Sequence, residues 1–260
     1  MTTRPLHVLV GMIFRDAAAT IADAVDSVLA QTATDTRVSL LLVDDSSTDD
    51  WGNALGARLR DPSVYTRRIE VHSTAQARNF VLDEAQRAFR DVDYVARLDA
   101  DDVMAGPTVI RDLSTILERE RPDALLAGNL QRLDGVILPH PNLATDELLD
   151  RERLAARLAR MAAGEAAAEL PSCNTVVRRE LPLRYPLVTS AEDHWFTVSL
   201  LLDRPRWRVV VAPELVFAIY RLRGAATLRN QATPTYLASR RALLDAARGV
   251  SMMESAHGAG

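Results

Sequence analysis

The sequence contains no lysine: all 31 basic residues among its 260 are arginine. That absence removes several chemistries. A Walker-type phosphate loop needs its lysine, and imine-forming enzymes, pyridoxal enzymes included, need a lysine amine. Any phosphate held by this chain is therefore held by arginine, backbone amides or metal. Cysteine is nearly absent too. The single Cys173 excludes an internal disulfide framework and a four-cysteine zinc site, and fits a reducing compartment. No apolar run approaches the ~20 residues that a membrane-spanning helix needs. The first residues, Met1-Thr2-Thr3-Arg4-Pro5, lead into a strand-like run rather than a signal-peptide core. The expectation is a cytoplasmic protein without a transmembrane segment. Its arginines are scattered, and with 35 acidic side chains the formal charge is −4, which argues against a nucleic-acid partner.

What is present suits a globular chain: 48% hydrophobic and 25% charged residues, enough apolar surface for one large domain at this length. The first hundred residues alternate in character. His7-Val8-Leu9-Val10-Gly11-Met12-Ile13 is a strand-like run, and Ala17 to Gln31 carries Ile21, Val25, Val28 and Leu29 at helical spacing. Ser39-Leu40-Leu41-Leu42-Val43 is too continuous for a half-exposed strand and suits one buried on both faces. Arg68 to His72 and Tyr94 to Leu98 read as two more strands, with a helix from Ala75 to Phe89 between them. This rhythm predicts an α/β fold with a mostly parallel central sheet and helices on both faces. Such sheets bind ligands at the carboxyl ends of their strands, where both aspartate clusters, 44–45 and 99–102, fall.

The second half is less regular. It reads as a helix opened by Pro107, a buried strand at Ala124 to Gly128, a loop at Pro139 to Asn142 and a helical stretch from Thr145 to Ala168. Strands follow at Thr175 to Val177, Trp207 to Val211 and Val216 to Tyr220, then a last helix from Tyr236 to Arg248. The small-residue tail beyond it is expected to be disordered.

The strongest local signal is Leu98-Asp99-Ala100-Asp101-Asp102 directly after an apolar strand. Two carboxylates at this spacing can share a hard divalent cation, with water and substrate oxygens completing the shell. The same acids also suit a solvated turn that caps the helix after Pro107. An EF-hand reading fails, because Met104 stands where that loop needs glycine and Ile110 where it needs glutamate. Asp99-Ala100-Asp101-Asp102-Val103 does fit the opening motif of haloacid-dehalogenase phosphatases. Those enzymes place it near the N-terminus and usually hold phosphate with a lysine, and this chain does neither.

The company of this motif is more telling. Val43-Asp44-Asp45-Ser46-Ser47-Thr48-Asp49, Ala77-Arg78-Asn79-Phe80-Val81-Leu82, the 98–102 segment and Ala191-Glu192-Asp193 occur in that order. Together they resemble the signature set of family 2 glycosyltransferases, inverting enzymes with a GT-A (Rossmann-like) fold, over residues 7–230. The segment Ser27-Val28-Leu29-Ala30-Gln31-Thr32 is similar to the end of that family's first helix.

The resemblance implies a single domain over 1–250, with a nucleotide-binding half (1–102), an acceptor-side half (103–230) and a C-terminal helix (231–250), followed by the tail 251–260. It implies a nucleotide-sugar donor, a UDP-sugar, a small-molecule or glycan acceptor, and Mn²⁺ or Mg²⁺ on the diphosphate. Carried over residue by residue, Asp99 lies near the ribose or sugar and Asp101 on the metal, which acts as a Lewis acid for the departing diphosphate. Asp45 or its neighbour Asp44 accepts a hydrogen bond from the base, unless the pair simply caps a helix. Arg78 points toward the base or diphosphate, its plain alternative being a surface arginine. Asp193 matches the general base that deprotonates the acceptor hydroxyl; otherwise it is a helix N-cap or first-turn acid. Apolar neighbours such as Trp195 would raise its proton affinity. Glu192 and His194 are acceptor-side candidates, and Arg221 and Arg223, beside Gly224, are candidates for a loop closing on the diphosphate.

The departures are specific. Ile13-Phe14-Arg15-Asp16 stands where the family usually has a tyrosine–asparagine pair framing the base. Asp203-Arg204-Pro205-Arg206-Trp207 resembles the Gln-x-x-Arg-Trp motif of processive synthases but has aspartate for glutamine, and reads as a helix-to-strand junction. Cys173 and Asn174 are pocket-lining candidates. The alternatives left standing are a haloacid-dehalogenase-like phosphatase and a catalytically silent nucleotide-binding protein of the same fold.

Overall fold

The computed structural model describes residues 4–33, 35–139, 145–165, 168, 170, 175–188, 190–203, 206–221 and 235–257. Cys173, Asn174, Arg223 and Gly224 lie outside them. In chain order the elements are β1 (Leu6–Phe14), α1 (Ile21–Leu29), β2 (Thr36–Asp45), α2 (Trp51–Leu55), a 3-10 turn (Gly56–Arg60), β3 (Val64–Ile69), α3 (Thr74–Ala88), β4 (Tyr94–Arg97), β5 (Val103–Met104) and α4 (Val109–Glu120). The second half adds β6 (Ala124–Leu133), β7 (Val136–Pro139), α5 (Thr145–Leu149), α6 (Arg151–Ala162), β8 (Thr175–Arg178), α7 (Glu192–Leu202), β9 (Val209–Arg221) and α8 (Thr235–His257).

The strands form one sheet in the order β3-β2-β1-β4-β8-β6-β9-β5, with β7 paired to β6. β1, β2, β3 and β4 run parallel, and β6 and β9 pair in parallel as well; β8, β5 and β7 run against their neighbours. The longest ladders are the parallel ones, as expected of strands joined by helices.

The unbroken apolar runs of β1 and β2 are explained by burial on both faces. Val8, Val10 and Met12 point into one cluster, with Leu40 and Leu42, against Ile21, Ala24, Val25 and Val28 of α1. Leu9, Leu41 and Val43 point the other way, against α3 and the Phe196 and Leu200 face of α7. A third cluster joins α6, α8 and Leu126. The period of two thus divides each strand between two cores.

Several boundaries differ from the sequence reading. β3 runs Val64–Ile69 rather than 68–72, because its register is set by pairing of Leu40 with Val64 along an edge strand of polar side chains. The Thr145–Ala168 stretch divides at Asp150, whose carboxylate accepts the Arg153 N–H and starts a new helix. The two expected strands at 207–220 are one, β9, with the ladder irregular about Gly128, where a Cβ would meet the Pro213 carbonyl oxygen at 2.5 Å. Of the loop expected at 139–142, only Pro139 lies among the described residues, and it ends β7 (Val136–Pro139). α8 runs to His257, beyond Arg248, where the sequence reading ended the last helix. No helix among the described residues is long and apolar enough to cross a membrane.

Candidate active site

The carboxyl ends of β1, β2 and β4 carry the candidates, and α3 and α7 bring others over them. α3 sits close because Gly11 of β1 leaves room: a Cβ there would lie 2.4 Å from Val81 Cγ1. Ser73 caps the helix by accepting the Gln76 N–H. This places Arg78 and Asn79 in successive directions. Asn79 clamps the 181–188 segment, donating to the Tyr185 carbonyl at 2.8 Å and accepting its N–H at 2.7 Å. Tyr185, so held, stacks on Phe196 of α7 with ring centroids 4.2 Å apart and lies 5.6 Å from the Arg78 guanidinium.

Arg78 is buried, and its side chain joins three carboxylates. It donates to Glu192, faces Asp193 Oδ2 at 3.6 Å and approaches Asp99 Oδ1 at 3.9 Å. Arg97, the last residue of β4, completes the network. Its Nε and Nη2 donate to the two oxygens of Asp99 at 2.9 and 2.6 Å, and its Nη1 lies 3.6 Å from Asp193 Oδ2. The surface-arginine alternative for Arg78 is therefore set aside. Burial by itself would push the Asp193 carboxyl up, but the His194, Arg78 and Arg97 charges and the His194 N–H hold it well below the usual carboxylate range. Burial opposes ionisation of Asp99 as well, and Arg97 and Arg78 outweigh it, so that group is lowered too. Trp195 does not act on Asp193 as expected: it packs in the third apolar cluster with α6 and α8. Nor is Asp193 the N-cap of α7. That position is Ala191, in the left-handed region at φ 65°, and Asp193 Oδ1 accepts the adjacent His194 N–H. His194 is buried in α7.

Asp101 and Asp102 have a different character. Asp102 is 1% exposed; its Oδ1 accepts the Arg221 N–H at the end of β9, and its Oδ2 has no hydrogen-bond partner among the described residues. Burial, then the charges of Asp99 and Asp101, push Asp102 well up; burial and Asp99 push Asp101 up. Crowded hard oxygens with an orphaned buried acceptor fit a divalent cation. Among the described residues no three potential ligands cluster around one point. Such a donor set suits Mg²⁺ or Mn²⁺ shared with substrate phosphates rather than caged by protein alone.

The β2 exit is two strands away, roughly 10 Å across the sheet. Asp44 is buried, paired to Arg68 Nη1 at 2.7 Å and accepting the Ser47 N–H. Asp45 Oδ1 accepts the Val71 and His72 amides. Neither caps α2, whose N-cap is Asp50. No contact links Asp44 or Asp45 to the Arg78 network among the described residues, so the candidates form two groups rather than one. Arg15, in place of the expected asparagine region, lies 3.1 Å from His72 Nδ1. A pocket partly open to solvent is lined by residues that include Gly11, Arg78, Arg97, Thr175 and Tyr185.

Sequence reasoning did not single out Arg97, Asp102, Asn79 or Tyr185. An arginine inside the apolar run Tyr94 to Leu98, directly before acids, was a readable signal for Arg97. Tyr185 had none, since its role depends on how the 181–188 segment folds back on α3.

The family profile described as glycosyl transferase family 2 matches residues 9–181. No curated protein sequence matches the chain. Among solved structures, S. aureus TarS 1-349 in complex with UDP is 18% identical, with a TM-score of 0.67, over 93% of this chain and 65% of that one. The same S. aureus protein in complex with UDP-GlcNAc gives 17% identity and a TM-score of 0.63 over 84% and 59%. The mannosyltransferase PcManGT from Pyrobaculum calidifontis, in complex with GDP-Man and Mn²⁺, gives 17% and 0.58 over 99% and 81%. This chain thus spans about three-fifths of the TarS 1-349 chains that it matches. These likenesses show the GT-A-like fold. With that fold, both oxygens of Asp99 held by Arg97 rather than free for nucleophilic attack, and a profile covering most of the chain, the phosphatase alternative falls away: the chain belongs to glycosyl transferase family 2.

Proposed function

We propose that this protein is an inverting glycosyltransferase that moves a sugar from a nucleoside-diphosphate sugar, a UDP-sugar, to a hydroxyl of a small-molecule or glycan acceptor. The observation that carries the reading is the network that sets Asp193 against Arg78, Arg97 and Asp99, with the acidic pair Asp101–Asp102 following directly in sequence. Asp193 is the base that takes the acceptor proton as the oxygen attacks the anomeric carbon from the face opposite the leaving group. In the ligand-free protein its cationic surroundings make it a weak base. A diphosphate drawing on the Arg78 charge weakens that field and raises the proton affinity of Asp193 when the donor is in place. Arg78 and Arg221 take the diphosphate charge, the task that falls to arginine in a lysine-free chain. Asp99 orients the ribose or sugar, and Asp45, whose second oxygen remains beyond its two amide bonds, meets the base. Asp101, with Asp102 beside it, would hold Mn²⁺ or Mg²⁺. The ion supplies Lewis-acid stabilisation of the departing diphosphate.

The UDP and GDP-Man bound to the structural neighbours support a nucleotide-sugar donor, and the Mn²⁺ of the second supports a metal. The test is a thermal-shift screen of nucleoside diphosphates and their sugars with and without Mn²⁺. UDP is expected to raise Tm only with metal present. No shift with any nucleotide, under either condition, overturns the reading.

A further inference from the structure

The exits of β1, β2 and β3 are braced apart from the Arg78 network. Asp16 accepts the Thr48 and Asp49 amides and the Thr48 hydroxyl, and its own N–H donates to Ser47 Oγ. Asp49 accepts the Ala18 N–H in return. The two loops are thus tied together without Arg15, which stands exposed between Phe14 and Asp16. Arg15 has one hydrogen-bond contact, Nη1 with His72 Nδ1 at 3.1 Å, and no carboxylate at ion-pair distance among the described residues. The arginines of β3 differ: Arg67 donates to Glu84, and Arg68 to Asp44 and the Ser47 carbonyl. A guanidinium carries five N–H groups and only donates, so Arg15 keeps most of its donors for something else. Register sets this cation beside Asp45. β1 and β2 pair in parallel, Ile13 with Val43 and Phe14 with Asp44, so one further step brings Arg15 level with Asp45, about 5 Å away between backbones. Asp45 Oδ1 accepts the Val71 and His72 amides. One residue, His72, therefore fixes both groups: its N–H holds the carboxylate and its ring holds the guanidinium.

We propose that Arg15 is the residue that determines base specificity, reading the nucleotide jointly with Asp45 as a donor and an acceptor side by side. The assignment rests on the reading of Asp45 as the base contact. The matching base edge carries a ring N–H next to a carbonyl. Uracil and guanine present that edge; cytosine and adenine present the reverse, a ring nitrogen lone pair beside an amino group. For the first two bases, Asp45 takes the ring N–H and Arg15 donates to the carbonyl. For the other two, held in place by ribose and diphosphate, the carboxylate faces a lone pair or the guanidinium faces an amino group. Both contacts are then mismatched, and a site built to hydrogen-bond one edge rejects the other. Asp45 alone would not discriminate, because a carboxylate accepts from an amino group as well as from a ring N–H. The donor at Arg15 is what makes the edge unambiguous.

Calorimetric titration of the full chain with UDP, GDP, CDP and ADP in the presence of Mn²⁺ tests this without any turnover. CDP decides most, since it differs from UDP only at the edge in question. Wild type is expected to bind UDP about tenfold or more tightly than CDP, with ADP as weak as CDP. GDP is the other source of the same edge: if it binds more tightly than UDP, the edge reading stands with guanine as the base, and GDP against ADP becomes the pair to follow. Arg15→Met is expected to weaken the preferred nucleotide about tenfold or more while leaving its mismatched counterpart within about twofold, so the preference collapses. Arg15→Lys, which keeps a donor but not the planar fork, should retain part of it. Thermal unfolding of both variants should match wild type, because the side chain is exposed and Asp16 makes the ties between the loops. Equal losses for matched and mismatched nucleotides in Arg15→Met would make Arg15 a general attraction for the diphosphate and overturn the proposal. So would unchanged affinity for the preferred nucleotide, or a wild type that binds all four alike. A wild type that binds no nucleoside diphosphate defeats the glycosyltransferase reading and this assignment together, whereas binding without discrimination defeats the assignment alone.

Discussion

The two ends of the sheet both bury charge, and they do it in opposite ways. At the amino end, His7 is 2% exposed, with Nε2 on Ser39 Oγ at 2.9 Å and Arg37 donating to Nδ1 at 2.7 Å. Arg37 continues to Asp91, and Asp93 accepts both the His7 N–H and the Arg4 guanidinium. Each of these groups is used, and Arg121 beside this end, left-handed at φ 44°, is the C-cap of α4. At the carboxyl end, Asp102 Oδ2 and Arg78 Nε have no hydrogen-bond partner among the described residues. There too, Asp16, Ser46, His72 and Ala191 adopt φ values of 55°, 62°, 49° and 65°. Non-glycine residues held in that region cost about 1–3 kcal/mol each and concentrate where function demands a particular shape. The amino end pairs its charged groups with one another, although Trp207 Nε1 there lacks a partner among the described residues; the carboxyl end gathers four left-handed residues and two unpartnered charged atoms around the candidate site.

This contrast can be broken. The largest effect should come from Asp193→Asn, which is expected to reduce turnover by about 10²–10⁴-fold. Its unfolding free energy should change by less than about 1 kcal/mol, because Asp99 and Glu192 still balance both arginines and no buried charge is left unpaired. A variant that unfolds as readily as it loses activity would erase the distinction between the ends.

Next in size is the acid response of the amino end. Burial first, then the Arg37 charge, lower the His7 imidazole to about 4. A base lowered in the folded state is protonated first in the unfolded chain, so stability present above pH 6.5 is lost as the pH falls toward 4. The loss is at most about 3 kcal/mol. Chemical denaturation across that window should show it in wild type and not in His7→Gln, and His7→Gln should leave nucleotide release at neutral pH unchanged.

Gly11→Ala tests whether stability and site are coupled through α3. The added methyl meets Val81 Cγ1, so a loss of about 1–3 kcal/mol is expected. Because that helix carries Arg78, UDP–Mn²⁺ affinity measured by calorimetry should fall as well. The smallest effect is expected from Ala191→Gly: relief of the left-handed φ offsets the added freedom of the unfolded chain, leaving Tm within about 0.5 kcal/mol equivalent. A large loss there would mean that the alanine methyl, not the backbone, sets the start of α7.

Much of this was legible in the sequence where the physics is local. The unbroken run Ser39–Val43 indicated burial on both faces, and Leu40 with Leu42 and Leu41 with Val43 do divide between two cores. The helical spacing of Ile21, Val25 and Val28 gave α1 its buried face. Elements whose limits depend on pairing were less readable: β3 takes its register from β2, and β6 is long because β9 and β7 flank it. In the site, Arg78, Asp99, Glu192 and Asp193 were read from separate segments and lie within one ion-pair network. Asp44 and Asp45 were read as alternatives for one role, yet each is engaged by different partners, the Arg68 side chain and the Ser47 amide for one and the Val71 and His72 amides for the other. Arg97 went unselected because an arginine in a strand has many uses, and only its distance to two acids distinguishes them.

The chain by itself determined the chemistry available: arginine as its only strong cation, aspartates at the strand exits, and an alternation of apolar runs that leads to a largely parallel sheet. Those are properties of residue type and spacing, which act over a few positions and survive without the fold. The tertiary structure decided which charges meet. Placing Arg78 beside Asp193 joins residues 115 positions apart, and Arg97 beside Asp193 joins residues nearly as distant. Whether an aspartate is lowered, as Asp193 is, or raised, as Asp102 is, depends on the cations within a few ångströms and on the water excluded around it. Neither quantity exists until the sheet, α3 and α7 are packed together.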